Sequence, residues 1–292
     1  MSSPTTSLRS SGVEKFNLAL AQTKPRLGDL RWNLDRHLEI AGQAAKDGRS
    51  IVLFPELSLT GYSVRDLNSE LALRVDDTLL NPIKDFSRKI SIGVGAVVKD
   101  ENGGLRNALI YFEDGLIKKV HYKIYLPTYG IFEEQRYFIP GRKVEAFDSK
   151  FGRVGLLICE DLWHVSLPYI LALQGAKLIL GVAASPTRLS GSSETHAGFV
   201  VNSEQHKSFA RLLSVYLAFV NRVGFEDGVN FWGGSEIVSP HGEPVATAGL
   251  YDEALIHADI DMAEVDRARL FARHFLDEDP ELVAAHLRTL GY

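Results

Sequence analysis

The sequence predicts an α/β fold built as a four-layer α-β-β-α sandwich, and three observations carry that prediction. Short β-type runs alternate with helical patterns along almost the whole chain. The runs number about ten to twelve, more than a single open sheet comfortably holds. Several are apolar without alternation, as in strands covered on both faces, so two stacked sheets with helices outside accommodate them most economically.

In chain order, residues 1–14 are polar, rich in Ser and Thr, and read as a disordered tail. "FNLALAQ" (16–22) is a strand, and residues 33–46 repeat apolar side chains at helical spacing up to Gly48. "SIVLFPE" (50–56) is a strand, and residues 70–89 read as a helix. "ISIGVGAVV" (90–98), "RNALIYF" (106–112) and "LIKKVHY" (116–122) are three more strands, the last two joined by the turn "EDG" (113–115). "GRVGLLIC" (152–159), "AKLILGVA" (176–183) and "VYLAFVNRV" (215–223) continue the alternation, with helices near 164–174 and 203–213. "SEIVSPHGEPVATA" (235–248) reads as a hairpin and "EALIHADID" (253–261) as the last strand. No repeat, linker or composition break divides residues 15–261, so one domain is expected there. Residues 262–292 form a C-terminal helical extension whose final helix, 279–290, is expected at a subunit interface.

Bulk properties exclude several classes. Of 292 residues 45% are hydrophobic and 24% charged, with a formal charge of −5, so no polyanionic partner is indicated. No basic cluster interleaved with aromatics appears, which argues against nucleic acid. No apolar run approaches the ~20 residues that span a bilayer, and the polar N-terminus lacks the apolar core of a secretory signal. The single cysteine cannot form an internal disulfide, which fits a reducing cytoplasm. The nine histidines show neither H-x-x-x-H nor H-E-x-x-H spacing, so neither metal nor cofactor is expected.

Three residues able to do chemistry stand where strands end: Glu56 in "LFPELSLTGY", Lys123 after "LIKKVHY", and Cys159 closing "GRVGLLIC". Loops at strand ends vary freely while the strand fixes their origin, so such positions gather ligand sites. Each has an ordinary structural reading alone: an apolar filler thiol, a strand-end carboxylate, a solvated lysine. Together they are complementary. A thiol with a pKa of ~8.5 is only a few per cent ionised at neutral pH, so a carboxylate that takes its proton makes it a nucleophile. An ammonium then faces the developing negative charge, with the backbone N–H that follows the cysteine. Glu133 and Glu134 stand close enough in sequence to hold that ammonium charged.

These stretches, with "HYKIYLPTYGIFEEQRYF" (121–138), "GRVGLLICEDLWH" (152–164) and "NRVGFEDGVNFWGGSEIVSPHGEPV" (221–245), resemble the nitrilase (carbon–nitrogen hydrolase) superfamily from about residue 16 to 260. The 123–138 segment is similar in detail to the glutaminase domain of glutamine-dependent NAD synthetase. The resemblance implies Glu56 as general base, Lys123 as transition-state stabiliser, Cys159 as nucleophile and Glu134 as an additional glutamate. Glu134 is preferred to Glu133 because it stands two residues before Arg136 in the matching segment. It further implies that Tyr62, Tyr129, Glu160, Trp163 and Ser185 border a substrate pocket, with Glu160 able to meet an α-ammonium group. The implied substrate is a small amide or nitrile, and the implied assembly a homodimer or higher homo-oligomer. Asp161 is read as structural, capping the helix that follows.

Two departures stand out. "GVAASPTRL" carries Ala183 and Ala184 where related sequences often place an asparagine before the Ser–Pro. The S-G-G-x-D-S pyrophosphate loop of a synthetase domain does not occur in the sequence, so ligase activity is not expected from it.

Overall fold

The computed structural model describes residues 14–187 and 192–292, so the N-terminal tail read as disordered falls, through residue 13, outside the described residues. Six strands form one sheet: β1 (Lys15–Gln22), β2 (Ile51–Leu53), β3 (Ser91–Lys99), β4 (Leu105–Glu113), β5 (Leu116–Tyr122) and β14 (Ala254–Asp261), in the order β14-β1-β2-β3-β4-β5. The second sheet contains β6 (Phe147–Ser149), β7 (Gly152–Ile158), β8 (Leu178–Ala183), β9 (Tyr216–Asn221), β12 (Glu236–Val238) and β13 (Pro244–Thr247), in the order β13-β12-β9-β8-β7-β6. A separate hairpin pairs β10 (Val223–Glu226) with β11 (Val229–Trp232). The helices are α1 (Leu30–Lys46), α2 (Asn68–Leu71), α3 (Asn81–Phe86), α4 (Glu134–Tyr137), α5 (Ser166–Leu173), α6 (Ser192–Leu213), α7 (Met262–Phe271) and α8 (Pro280–Thr289).

Strand β1 shows why the sheets stack. Leu18 and Leu20 enter the core shared with the second sheet, whereas Ala19 and Ala21 join the core under α1, with Leu34, Ile40 and Ala41. Side chains alternate across a strand, so one apolar run serves two layers. Small alanines on the helix side allow α1 to approach closely. Strands β7, β8 and β9 are likewise apolar on both faces, between β1, β2 and β4 on one side and α5 and α6 on the other. The result is an α/β fold with two sheets flanked by helices.

Each sheet has a parallel centre with antiparallel edges: β1, β2 and β3 run parallel, as do β7, β8 and β9. Because β4 is antiparallel to β3 and β5 antiparallel to β4, β5 runs in the direction of β2. The chain therefore leaves β2 toward Glu56 and leaves β5 toward Lys123 at the same edge. β14 pairs antiparallel with β1 over its whole length, from Lys15↔Asp261 to Gln22↔Ala254, so the two ends of the domain close one sheet.

Three expectations need correction. The helix over 70–89 is instead α2, an extended bridge from Leu73 to Val98, a short 3₁₀ turn and α3. Pro82 starts α3 because it has no N–H to give a preceding turn, and the Asp77 carboxylate caps the turn before it by accepting from the Leu79 N–H. The run 215–223 divides at Arg222 into β9 and β10, the latter turning through Asp227 and Gly228, both at positive φ (50° and 78°). A short partner for β7, Phe147–Ser149, carries too few residues to show a period. The turn at 113–115 is as expected, with Asp114 and Gly115 at φ 52° and 79°. α8 begins after its Asp279 cap and has no buried residue, whereas α7 buries Met262, Val265 and Ala268. Among the described residues no helix is long and apolar enough to cross a membrane.

Candidate active site

Glu56 stands three residues beyond β2, in a turn whose next residue, Leu57, has φ 50°. This turn lies against Gly95 of β3: a Cβ there would sit 2.3 Å from the Leu57 nitrogen and 2.4 Å from the Pro55 oxygen. Only glycine lets the two backbones approach so closely. Glu56 is 1% exposed, and both its oxygens are engaged. Oε1 accepts from Asn107 Nδ2 at 2.7 Å and Lys123 Nζ at 2.7 Å, and Oε2 accepts from the Ala184 N–H at 2.8 Å.

Lys123 follows β5 with its backbone held on both sides, its N–H donating to the Asn107 carbonyl at 2.9 Å and its carbonyl accepting from Gly141 at 2.7 Å. Its Nζ also donates to Glu134 Oε1 at 2.6 Å. That oxygen accepts from a second group, the Tyr62 hydroxyl, at 2.6 Å. Glu134 Oε2 is buried with no hydrogen-bond partner among the described residues. Tyr62 is held in turn through its backbone, since Glu226 Oε1 accepts from the N–H groups of Tyr62 (2.8 Å) and Ser63 (2.6 Å), and a buried ion pair joins Glu226 to Arg222.

Cys159 begins the 3₁₀ turn that follows β7, at φ 46°. A non-glycine residue there carries strain of roughly 1–3 kcal/mol and marks a sharp strand-to-turn junction. Its Sγ lies 3.9 Å from the Oγ of Ser185, the residue after Ala184, whose N–H donates to Glu56. The structure thus brings Glu56, Lys123, Glu134, Cys159, Tyr62 and Ser185 together.

The electrostatics follow from burial. The Cys159 thiol is held well above its usual pKa by burial and by the Glu56 charge, which Lys123 opposes and Glu134 reinforces. It is a neutral thiol at physiological pH. Burial by itself depresses the Lys123 ammonium, but the charges of Glu134 and Glu56 outweigh it and raise its pKa well above normal. Glu134 is pushed up to about 7 by burial, against the pull of Lys123 and with the help of Glu56. Two carboxylates facing one buried ammonium carry one negative charge too many, and the Glu134 shift expresses that excess. Burial and Glu134 also raise the Tyr62 hydroxyl well above its usual range, so it remains a donor.

The remaining pocket candidates divide. Glu160 turns away from the thiol: its Oε2 accepts from the Tyr129 hydroxyl at 2.8 Å, and Oε1 lies 3.9 Å from His164 Nε2. With Tyr125, Gln135, Phe138 and His164 they line an open cleft of about 530 Å³. Trp163 is not among the lining residues of that cleft and is 46% exposed. The loss of a side-chain amide at Ala184 does not empty that position, because the backbone N–H supplies the polar contact. Sequence reading missed Asn107, which follows Arg106 near the start of β4 and is buried there, unlike most asparagines. It also missed the reach of Asp161, which accepts four hydrogen bonds, one of them from the Ile158 N–H at the cap of its own 3₁₀ turn.

A carbon–nitrogen hydrolase family model matches residues 17–270. The chain is 34% identical over 262 residues to the glutamine-dependent NAD(+) synthetase of Thermotoga maritima, covering 88% of this chain and 44% of that protein. It therefore spans about half the length of such relatives. It is 28% identical over 252 residues to the citrullinase of Francisella tularensis, covering 82% of this chain and 87% of that one. Among solved structures, a carbon–nitrogen hydrolase from Helicobacter pylori superposes with a TM-score of 0.84 at 23% identity, over 94% of this chain and 98% of the other, a likeness of fold.

Proposed function

From the premise that the chain belongs to the carbon–nitrogen hydrolase family, we propose that it hydrolyses a non-peptide C–N bond of a small amide through a thioester on Cys159. The observation that carries this is the setting of Glu56: one oxygen holds Lys123, the other accepts from the Ala184 N–H, and Cys159 Sγ lies 3.9 Å from the hydroxyl of the next residue, Ser185. A neutral buried thiol needs a base at the moment of attack, and a buried carboxylate beside it meets that need.

In the proposed cycle Sγ attacks the amide carbon while its proton passes to Glu56. The Lys123 ammonium and the Glu160 N–H meet the oxyanion, a donor set of which each member is typically worth roughly 10²–10³ in rate. Protonated Glu56 gives its proton to the leaving nitrogen, and ammonia or an amine departs. Water then loses a proton to Glu56 and attacks the thioester, and collapse returns the carboxylic acid product and the thiol. Glu134 keeps Lys123 charged and in place. A nitrile would enter through a thioimidate, releasing ammonia after water adds. Relatives named for glutamine and for citrulline favour a substrate whose amide or ureido group ends an α-amino acid, and the Glu160 carboxylate, which accepts from the Tyr129 hydroxyl, is the group we assign to its ammonium.

A screen of short aliphatic amides, ω-amido acids, N-carbamoyl compounds, nitriles and glutamine tests the proposal. Hydrolysis by the wild type and none by a folded Cys159→Ala supports it; retained turnover in that variant defeats it. The "LPTYGIFEEQRYF" segment favours a second reading, a glutaminase that supplies ammonia to a separate synthetase chain. Inertness toward glutamine, alone and with candidate synthetases, counts against it. A silent binding protein on the same fold predicts a Cys159 that iodoacetamide leaves unmodified. The proposal also includes a cytoplasmic location, which keeps the thiol reduced, and self-association through the exposed apolar Leu282, Leu287 and Leu290 of the C-terminal segment. A monomeric mass in sedimentation would refute the self-association.

A further inference from the structure

The two halves of the site come from different sheets. Lys123 leaves the edge strand β5 of one, and Cys159 leaves β7 of the other. Among the described residues no backbone–backbone hydrogen bond joins segment 120–125 to segment 156–163. One side chain spans that gap. Asp161 is fully buried, and its Oδ1 accepts from the N–H groups of Ile124 at 2.9 Å and Tyr125 at 3.0 Å, the two residues after Lys123. Its Oδ2 accepts from the Ile158 N–H at 3.1 Å, the residue before Cys159, and lies 2.8 Å from His121 Nε2, two residues before Lys123.

We propose that Asp161 is a positioning residue, a pin whose one carboxylate ties the backbone flanking Lys123 to the backbone flanking Cys159 and so sets the separation of ammonium and sulfur. The role rests on the reading of Lys123 and Cys159 given above. A carboxylate fits it because its two oxygens accept four donors from two directions, and each bond to it is charge-assisted. Asparagine keeps the shape but turns an NH₂ toward the donors on one side. Two donors then face each other, and the segments move apart.

A buried aspartate that merely stabilises the fold differs in what it moves. Its loss lowers the melting temperature and the folded fraction, and leaves each folded site unchanged. Loss of a pin changes the folded site, because a misplacement of ~1 Å can cost ~10²-fold in rate. The groups that face the thiol are Glu56, Lys123 and Glu134, with Tyr62 and Tyr129 beyond them. Lys123 is the one cation among these, so its retreat raises the pH at which the thiol reacts.

The test compares wild type, Asp161→Asn, His121→Phe and His121→Gln, each checked for fold by circular dichroism. Two quantities are read per folded molecule: kcat and KM on an amide identified by the screen, and the pH profile of Cys159 alkylation by iodoacetamide. The expected results for Asp161→Asn are a ~10²-fold loss of kcat, KM within about threefold, and an alkylation profile moved to higher pH. His121→Phe, which removes one donor, shifts both readouts in the same direction by less, and His121→Gln, which restores an N–H, returns them toward wild type. A folded Asp161→Asn with wild-type kcat and alkylation profile overturns the proposal. If Asp161→Asn fails to fold, the histidine pair decides: wild-type values in both His121 variants overturn it, and a shift in His121→Phe that His121→Gln reverses supports it. Alkylation needs no substrate, so a wild type that alkylates but hydrolyses nothing refutes the hydrolase reading while still testing the pin.

Discussion

Replacing Lys123 by Met separates what the buried cluster does for stability from what it does for chemistry. The ammonium is 1% exposed and lies 2.7 Å from Glu56 and 2.6 Å from Glu134. At an effective dielectric near 20 each contact has a gross attraction on the order of 5 kcal/mol, most of it offset by desolvation and by the repulsion between the carboxylates. Removing the cation leaves two buried acids without a counter-charge, and breaking such a pair typically costs about 3–5 kcal/mol. Glu134, already pushed up to about 7, loses the cation that opposes that shift and takes up a proton. Activity falls by the ~10²–10³ of a lost oxyanion donor. Lys123→Met/Glu134→Gln removes one of the stranded charges, so the double variant regains a large part of the stability but none of the activity. Urea unfolding of the two single variants and the double, with kcat for each, gives the cycle. A Lys123→Met enzyme as stable as wild type, or a double variant no more stable than Lys123→Met, refutes the reasoning.

Three further outcomes are expected. Tyr62→Phe deletes the hydroxyl that donates to Glu134 Oε1 at 2.6 Å, and kcat drops on the order of tenfold at unchanged KM, consistent with ~1.5–3 kcal/mol for a hydrogen bond to a charged group. Gly95→Ala places a methyl group 2.3 Å from the Leu57 nitrogen, which displaces the Glu56 turn; activity is lost, and unfolding in urea occurs at least ~1–3 kcal/mol earlier. His37 is buried, donates through Nδ1 to the Asn33 carbonyl, accepts from Ser58 through Nε2, and has its pKa lowered to about 4 by burial, against the Asn33 bond. The unfolded chain takes up that proton first, near pH ~6.5, so stability present above that pH is lost as the pH falls toward about 4, by about 3 kcal/mol. Urea unfolding across this range measures the slope, and a His37→Gln variant lacks it.

How much of this was legible in the sequence depended on whether the signal was local. The strands from Phe16 to Gln22 and from Val154 to Ile158 announce themselves because an unbroken apolar run has few alternatives between two layers. Glu56, Lys123 and Cys159 stood out by their place at strand ends, and Glu134 through its segment. The helix over 70–89 failed because Leu73, Leu80 and Ile83, which share one core, stand in three different elements that together imitate one period. Asp161 was underestimated for a physical reason. Its four donors come from segments brought together only when the two sheets meet, and no local spacing encodes that. Trp163 stands near the thiol in sequence, and the 3₁₀ turn leaves it partly exposed, a placement that local spacing does not encode.

The central claim is that Cys159 carries the acyl group between two half-reactions. Acid quenching of wild-type enzyme during turnover of an amide, followed by peptide mass mapping, tests it most directly. The account predicts the acyl mass increment on the peptide containing Cys159, formed more slowly in Glu56→Gln, which lacks the base for attack, and absent from Cys159→Ala. Sustained turnover with Cys159 unmodified at every quench time contradicts it.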